Sequence, residues 1–385
     1  MNDVDVVVVG LGVMGAAALE ACARRGLRAV GIERFDVPHA QGSSHGGTRI
    51  TRKAYYEDPA YVPLLHEAWD LWRGFESELG ATLLIQTGNL NFGAPEHPDM
   101  VGVMASVSEH ALPHELLDAA AIRRRWPVLV PDAGSIGVFE QEAGCLVPEL
   151  CVAGLVELAM RRGADVLART AVTAFADDGA RVIVRTTRGD FRAPKIVLAL
   201  GAWMPDDRPA NAPRAPAPLW VERQVQLWFA PVDRDLAPFM PGRMPVFISF
   251  GADNFYGLPF VRAAGPLGVK VCAHHGGEAT HPEALDRTLR PADEALVREL
   301  VARQLPSANG ALLGARVCMY TNTPDEHFVV GAHPDDARFV VATGFSGHGF
   351  KLGPAVGRAL ADAVSGVDVP VPLFDPHRFV SSPEG

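Results

Sequence analysis

An apolar stretch of strand length, Asp5-Val6-Val7-Val8-Val9, stops at Gly10-Leu11-Gly12-Val13-Met14-Gly15, and this junction constrains the fold more than any other feature of the chain. The spacing is that of a dinucleotide-binding turn. Gly10 permits the tight turn, Gly12 lets backbone approach a pyrophosphate, and Gly15 lets the following helix pack close to the strand. Residues 16–25 are rich in good helix formers, and Gly26 suits the C-terminal stop. A second apolar run, residues 28–32, leads into Glu33, about 20 residues past the glycines, where a carboxylate accepts from ribose hydroxyls. Strand, turn, helix, strand and acid in this order predict a nucleotide-binding unit. The motif alone does not separate FAD from NAD. Glu33 argues against NADP, whose 2′-phosphate it repels, an argument that Arg34 beside it weakens.

At 385 residues the chain is longer than one core usually grows, so two domains are expected. No run reaches the about 18 to 20 uninterrupted apolar residues that cross a bilayer. The N-terminus enters the first strand without a basic leader, and Ser381-Ser382-Pro383-Glu384-Gly385 is not a peroxisomal address, so a soluble, cytoplasmic protein is expected. A net charge of −10, with only short basic clusters such as Arg123-Arg124-Arg125, disfavours a nucleic-acid partner. Five cysteines, at 22, 145, 151, 272 and 318, contain no CxxC pair and make a poor disulfide framework, which suits a reducing compartment. Cys22 and Cys151 read as small core residues on helices. No metal is expected.

Residues 152–162 read as a helix, and 164–169, 182–187 and 195–200 as strands, the last ending at Gly201-Ala202-Trp203, a second approach of backbone to a cofactor. The Pro/Ala-rich residues 209–218 read as a linker between domains. Beyond them, residues 225–229, 246–250 and 269–274 suggest antiparallel strands exposed on one face. Near the end, strand 339–342 runs into Gly344-Phe345-Ser346-Gly347-His348-Gly349, and residues 352–364 form a helix. A strand, a glycine loop and a helix N-terminus favour an anion.

Two segments carry a more specific message: Arg316-Val317-Cys318-Met319-Tyr320-Thr321, and Gly344 to Lys351 with its Ser-Gly-His-Gly-Phe-Lys core. With the glycine fingerprint, the loop Gly42-Ser43-Ser44-His45-Gly46-Gly47-Thr48-Arg49-Ile50-Thr51-Arg52, Gly144 and Trp203, they make most of the chain resemble the monomeric sarcosine oxidase family. The resemblance implies an α/β fold (α+β overall) of amino-acid-oxidase type, with a discontinuous Rossmann-like FAD-binding domain (1–85, 145–215 and 311–385) and an inserted antiparallel-sheet substrate domain (86–144 and 216–310). It further implies FAD tethered by its 8α-methyl to Cys318, with Gly10, Gly12, Gly15, Glu33, Arg34, Ser43, Ser44, His45, Thr48, Arg49, Gly201, Trp203, Gly344, Gly347, His348, Gly349, Phe350 and Lys351 around the cofactor. Arg52 and Lys351 would bind the substrate carboxylate, Lys270 would assist electron transfer to O2, and Tyr256, His274 and Tyr320 would line the substrate cavity.

Bland readings stand beside these. Arg49 and Arg52, three apart, also fit a solvated helical face. His348 between glycines also fits a helix cap, and Cys318 a buried small residue in a strand. Lys351, in the first turn of a helix, is an unfavourable place for a cation unless an anion lies nearby. Alternation puts Lys270 with Cys272 and His274 on one strand face, opposite Val269 and Val271, which equally fits an outward edge-strand lysine. Gly47, Lys53 and Cys272 depart from the family pattern, and the first two bear on pocket polarity and substrate preference. The expected activity is oxidation of the C–N bond of a secondary amino acid such as sarcosine, with hydrogen peroxide formed, by a monomer acting on a small molecule. Alternatives are a dehydrogenase passing electrons to a partner, a non-catalytic flavoprotein, or an oxidase of cyclic imino acids or N-methyltryptophan.

Overall fold

Val6–Val9 lies inside a six-stranded sheet ordered Asp165–Leu167, Ala29–Ile32, Val6–Val9, Lys195–Leu198, Phe339–Thr343, Val329–Ala332. All neighbours are parallel except the last pair. A parallel sheet is covered on both faces, which is why the run is continuously apolar rather than alternating. Val6 and Val8 pack with the helical layer, and Val7 and Val9 with Phe175, Val182, Val184 and Phe191 on the other side. This computed structural model describes residues 2–379 other than 263, 368 and 370, so the 381–385 tail read for an address lies outside the described residues.

The helical layer contains Val13–Arg24, Pro148–Arg161 and Gly353–Val364, which pack together in one core. A Cβ on Gly357 would come within 2.7 Å of the Ala17 Cβ. The first helix begins at Val13 rather than residue 16, because Gly12 is its N-cap and the glycine turn itself supplies the first helical turn. The helix expected from residue 152 begins at Pro148, where proline suits the first position. Cys22 and Cys151 are buried, as are Cys145, Cys272 and Cys318, and all five are free.

The second layer is a nine-stranded sheet. Its order is Ala279–Thr280, Trp220–Phe229, Val269–Ala273, Phe255–Leu258, Val246–Phe250, Asn89–Gly93, Ile136–Glu140, Glu115–Asp118, with Leu312–Asn322 also paired to Trp220–Phe229. Val246–Phe250 and Asn89–Gly93 run parallel, so the sheet is mixed rather than wholly antiparallel. It is not exposed on one face either. Leu90, Phe92, Leu227, Phe229, Phe247, Val269 and Val271 pack under helix Pro291–Gln304. The alternate positions Asn89, Asn91, Gln224, Gln226, Lys270 and Cys272 are buried too. That polar face looks into the molecule. Leu312–Asn322 follows the expected division at 310/311 by one residue, yet pairs along its length with a strand of the substrate layer.

Residues 209–218 do not hang free. Ala210 exchanges backbone hydrogen bonds with Thr173 and Phe175 before the chain crosses to Trp220. No helix among the described residues is long and apolar enough to cross a membrane.

Candidate active site

Two of the fingerprint glycines, Gly10 and Gly15, are required by contact. Gly10 has φ of +90°, and a Cβ there would sit 2.4 Å from the Ala199 carbonyl oxygen. A Cβ on Gly15 would lie 1.7 Å from the Gly10 oxygen, so any side chain would push the helix off the strand. At the end of the second strand, Glu33 accepts from Leu11 N–H at 2.8 Å and Phe35 N–H at 3.0 Å, with His39 Nε2 at 3.5 Å. Burial would raise its pKa, but His39 and these amides hold it below the usual value. A carboxylate has about four lone-pair sites, so hydroxyl donors still find room.

These groups open on a cleft of about 330 Å³. Gly12, Glu33, Arg34, Ser43, Ser44, Arg49, Gly201, Trp203, Cys318, Tyr320, Gly344, Gly347, Gly349 and Phe350 all line it, joining both ends of the chain around one cavity. Ser44 Oγ accepts from Val13 N–H at the start of the first helix, and Ser43 Oγ donates to the Met319 carbonyl beside Cys318. Arg34 pairs with Glu283 at 2.7 Å and lies against Trp203. Cys318 Sγ is 3.6 Å from the Arg49 guanidinium. Gly347, at φ +80°, leaves space that Tyr320 fills, since a Cβ there would come 2.4 Å from its ring. The bare-backbone turn, the acid and the glycine loop fit an FAD.

Next to the cleft lies a chamber of about 70 Å³ that shares Arg49, Tyr320, Gly347 and Phe350 with it. Thr48, Arg52, Tyr256, His274, His348 and Lys351 line this second space. Arg49 opens a short strand, Arg49–Thr51, and Arg52 directly follows it, so the two do not share a helix face. Arg52 is 2% exposed, lies between the Tyr55 and Tyr56 rings, gives one nitrogen to both oxygens of Glu57 at 2.9 and 2.8 Å, and another to the Ala54 carbonyl. Its buried Nε has no partner among the described residues. Lys351 lies in the 3-10 turn Phe350–Leu352, one turn ahead of the helix expected to contain it. Its Nζ donates to the His348 carbonyl at 2.6 Å and to Tyr55 OH at 3.2 Å. Burial and the Arg52 charge, partly offset by Glu57, lower its pKa to about 7.

Around the rest of the wall, His274 Nδ1 is 3.3 Å from Tyr320 OH, and the Tyr256 and His274 rings meet edge to face. Burial first, and then the nearby cationic Arg52 and Lys351, push the pKa of His274 well below its ordinary value. Lys270 shares the inward face with Cys272, as the alternation predicts, and is not an outward edge lysine. Its Nζ donates to the Gly46 and Thr48 carbonyls, each at 2.8 Å, and lies over Trp228. Burial and then Arg49 lower its pKa to about 7. Lys270 and His45 line neither cavity. His45 is 2% exposed, and neither ring nitrogen makes a hydrogen bond among the described residues.

Three residues of this site were not singled out from sequence: Tyr55, Tyr56 and Glu57. Their signal was the run Tyr-Tyr-Glu just after Arg52, lacking any periodicity. Of the departures from the family pattern, Gly47 is fixed by backbone, since a Cβ there would lie 1.7 Å from the Ala264 oxygen. Lys53 turns away to Glu142 and Trp69.

Residues 5–363 match the DAO family, described as FAD dependent oxidoreductase. A monomeric sarcosine oxidase of Streptomyces avermitilis is 40% identical over 98% of this chain and 98% of its own length. An N-methyl-L-tryptophan oxidase of Citrobacter koseri is 33% identical over 96% of both. Among solved structures, the open form of NikD, an unusual amino acid oxidase essential for nikkomycin biosynthesis, matches with a TM-score of 0.80 and 25% identity over 94% of each chain. Glycine cradle, acid-terminated second strand and whole-length similarity lead to one conclusion: this chain belongs to the DAO family of FAD-dependent oxidoreductases.

Proposed function

We propose that the protein is an oxidase of small secondary amino acids, with sarcosine and related N-methyl amino acids as substrates and O2 as electron acceptor. One observation carries the reading: a chamber of about 70 Å³ has two buried cations, Arg52 and Lys351, on its wall and shares residues with the cofactor cleft. A carboxylate is the anion such a pair fits, and the unpartnered Arg52 Nε and the third Lys351 hydrogen are the donors left for it. Bound FAD supplies the two-electron acceptance.

The chain's residues then bind and orient. Arg52 and Lys351 hold the carboxylate, so the amine end lies among Tyr256, His274 and Tyr320. Neutral His274 places no positive charge beside the amine. The small chamber favours an N-methyl group and a short side chain over an indole, which is why sarcosine is placed ahead of N-methyltryptophan. Cys318 is assigned to cofactor tethering and Lys270 to the reaction with O2. A peroxide-release screen over sarcosine, N-methylalanine, proline, pipecolate and N-methyltryptophan tests the reading. Fastest turnover on sarcosine or N-methylalanine is expected. Reduction of the bound flavin by these amines without peroxide release would assign the electrons to another acceptor.

A further inference from the structure

We propose that His348 is a positioning residue for carboxylate capture: its Nδ1 orients the Tyr55 hydroxyl, whose oxygen in turn receives the Lys351 ammonium and fixes its direction in the chamber. The inference rests on the assignment of Lys351 to the substrate carboxylate. His348 Nε2 lies 3.0 Å from the Glu326 carbonyl oxygen, which only accepts, so that nitrogen carries a hydrogen. The ring is neutral, because burial, reinforced by Lys351 and Arg52 and opposed by Glu57, lowers its pKa to about 4. Nδ1 is then a lone-pair acceptor.

Tyr55 OH, 2.6 Å from Nδ1 and 3.3 Å from the His348 carbonyl oxygen, therefore donates on the His348 side, chiefly to the nearer Nδ1, which turns the oxygen's lone pairs to Lys351 Nζ at 3.2 Å. A second Lys351 hydrogen goes to the His348 carbonyl at 2.6 Å. With two of three N–H bonds fixed, the third has a defined direction. Tyr61 and Phe328 pack against the His348 ring, and Trp72 Nε1 donates to the Lys351 carbonyl, so both ends of the chain of contacts are anchored. Tyr55 is fully buried and lines neither cavity, so it acts on a ligand only through its partners. A lysine has several rotatable bonds, and leaving it unanchored adds an ordering cost to each binding event.

The test is the Kd of acetate, measured calorimetrically on the FAD-loaded wild type and on Lys351→Met, Tyr55→Phe, His348→Gln and His348→Asn. Glutamine reaches toward Glu326 but lacks the Nδ1 acceptor, whereas asparagine offers an amide oxygen near it. Lys351→Met is expected to weaken acetate most. Tyr55→Phe and His348→Gln should each weaken it about three- to tenfold, the two together no more than either alone, with His348→Asn recovering most of the loss. Wild-type affinity in both Tyr55→Phe and His348→Gln, or additive losses in the double variant, would overturn the proposal while leaving the Lys351 assignment intact. Wild-type affinity in Lys351→Met would overturn both.

Discussion

At the scale of single residues, the buried lysines make the sharpest statements. Lys351 in the free site loses its proton near pH 7, and the ammonium is the form that attracts a carboxylate. Carboxylate binding above that pH therefore takes up a proton. The Kd of acetate should be nearly flat from about pH 5.5 to about pH 6.5, above the titration of acetate itself, and rise above about pH 7 by up to about tenfold per pH unit, until the higher pKa of the complex is reached. A flat Kd from about pH 6 to about pH 9 would contradict this. Lys270 differs because two of its hydrogens hold the 46–48 loop and it lines neither cavity. O2 is neutral on arrival and negative after gaining an electron, so a nearby ammonium stabilises the product of that step more than its reactant. Lys270→Met should slow reaction of the reduced enzyme with O2 far more than reduction by the amine, as rapid mixing of each half-reaction would measure. Equal slowing of both would make Lys270 a loop anchor and nothing more.

Among the elements, Leu312–Asn322 matters most, because one strand carries Cys318 to the cofactor cleft and Tyr320 to both cavities. The Arg49 guanidinium beside Sγ suits a sulfur nucleophile. If that sulfur tethers the flavin, acid-denatured protein keeps its yellow colour in the pellet and gains flavin mass, and Cys318→Ser releases its flavin. Flavin found wholly in the wild-type supernatant would refute the tether. The element level is also where sequence and structure part. Period-two alternation located the Lys270–Cys272 face, but it cannot say whether a polar face meets water or a chamber. Gln226, on a strand expected to be exposed on one face, instead lines the chamber together with Gln224, while Asn89 and Asn91 on the same sheet are buried against Glu140 and the Ala54 carbonyl. Glycines at 10, 12 and 15 were legible because their need is local. Tyr55 and Glu57 were not, since their roles arise from partners nearly three hundred residues away or from a turn without periodicity.

In the whole molecule, the cofactor cleft is built from both chain ends and the middle, and the chamber lies between the polar face of the nine-stranded sheet, the Arg49–Thr51 strand and the 347–351 loop that follows Phe339–Thr343. Such an arrangement follows from topology rather than from any segment's pattern, which is why the motif glycines and the inward face of Lys270 were legible while Tyr55, Tyr56 and Glu57 were not. In the proposed reading, the Arg52–Lys351 chamber recognises the carboxylate of a secondary amino acid. Anaerobic mixing of the FAD-loaded enzyme with sarcosine, and separately with dimethylamine, tests it most directly by following the flavin's visible absorbance. Dimethylamine keeps the secondary amine and lacks the carboxylate. Saturable bleaching by sarcosine, with dimethylamine weaker by about a hundredfold or more, is expected from loss of two charged contacts. Equal bleaching by dimethylamine, or none by any N-methyl amino acid, would contradict the claim.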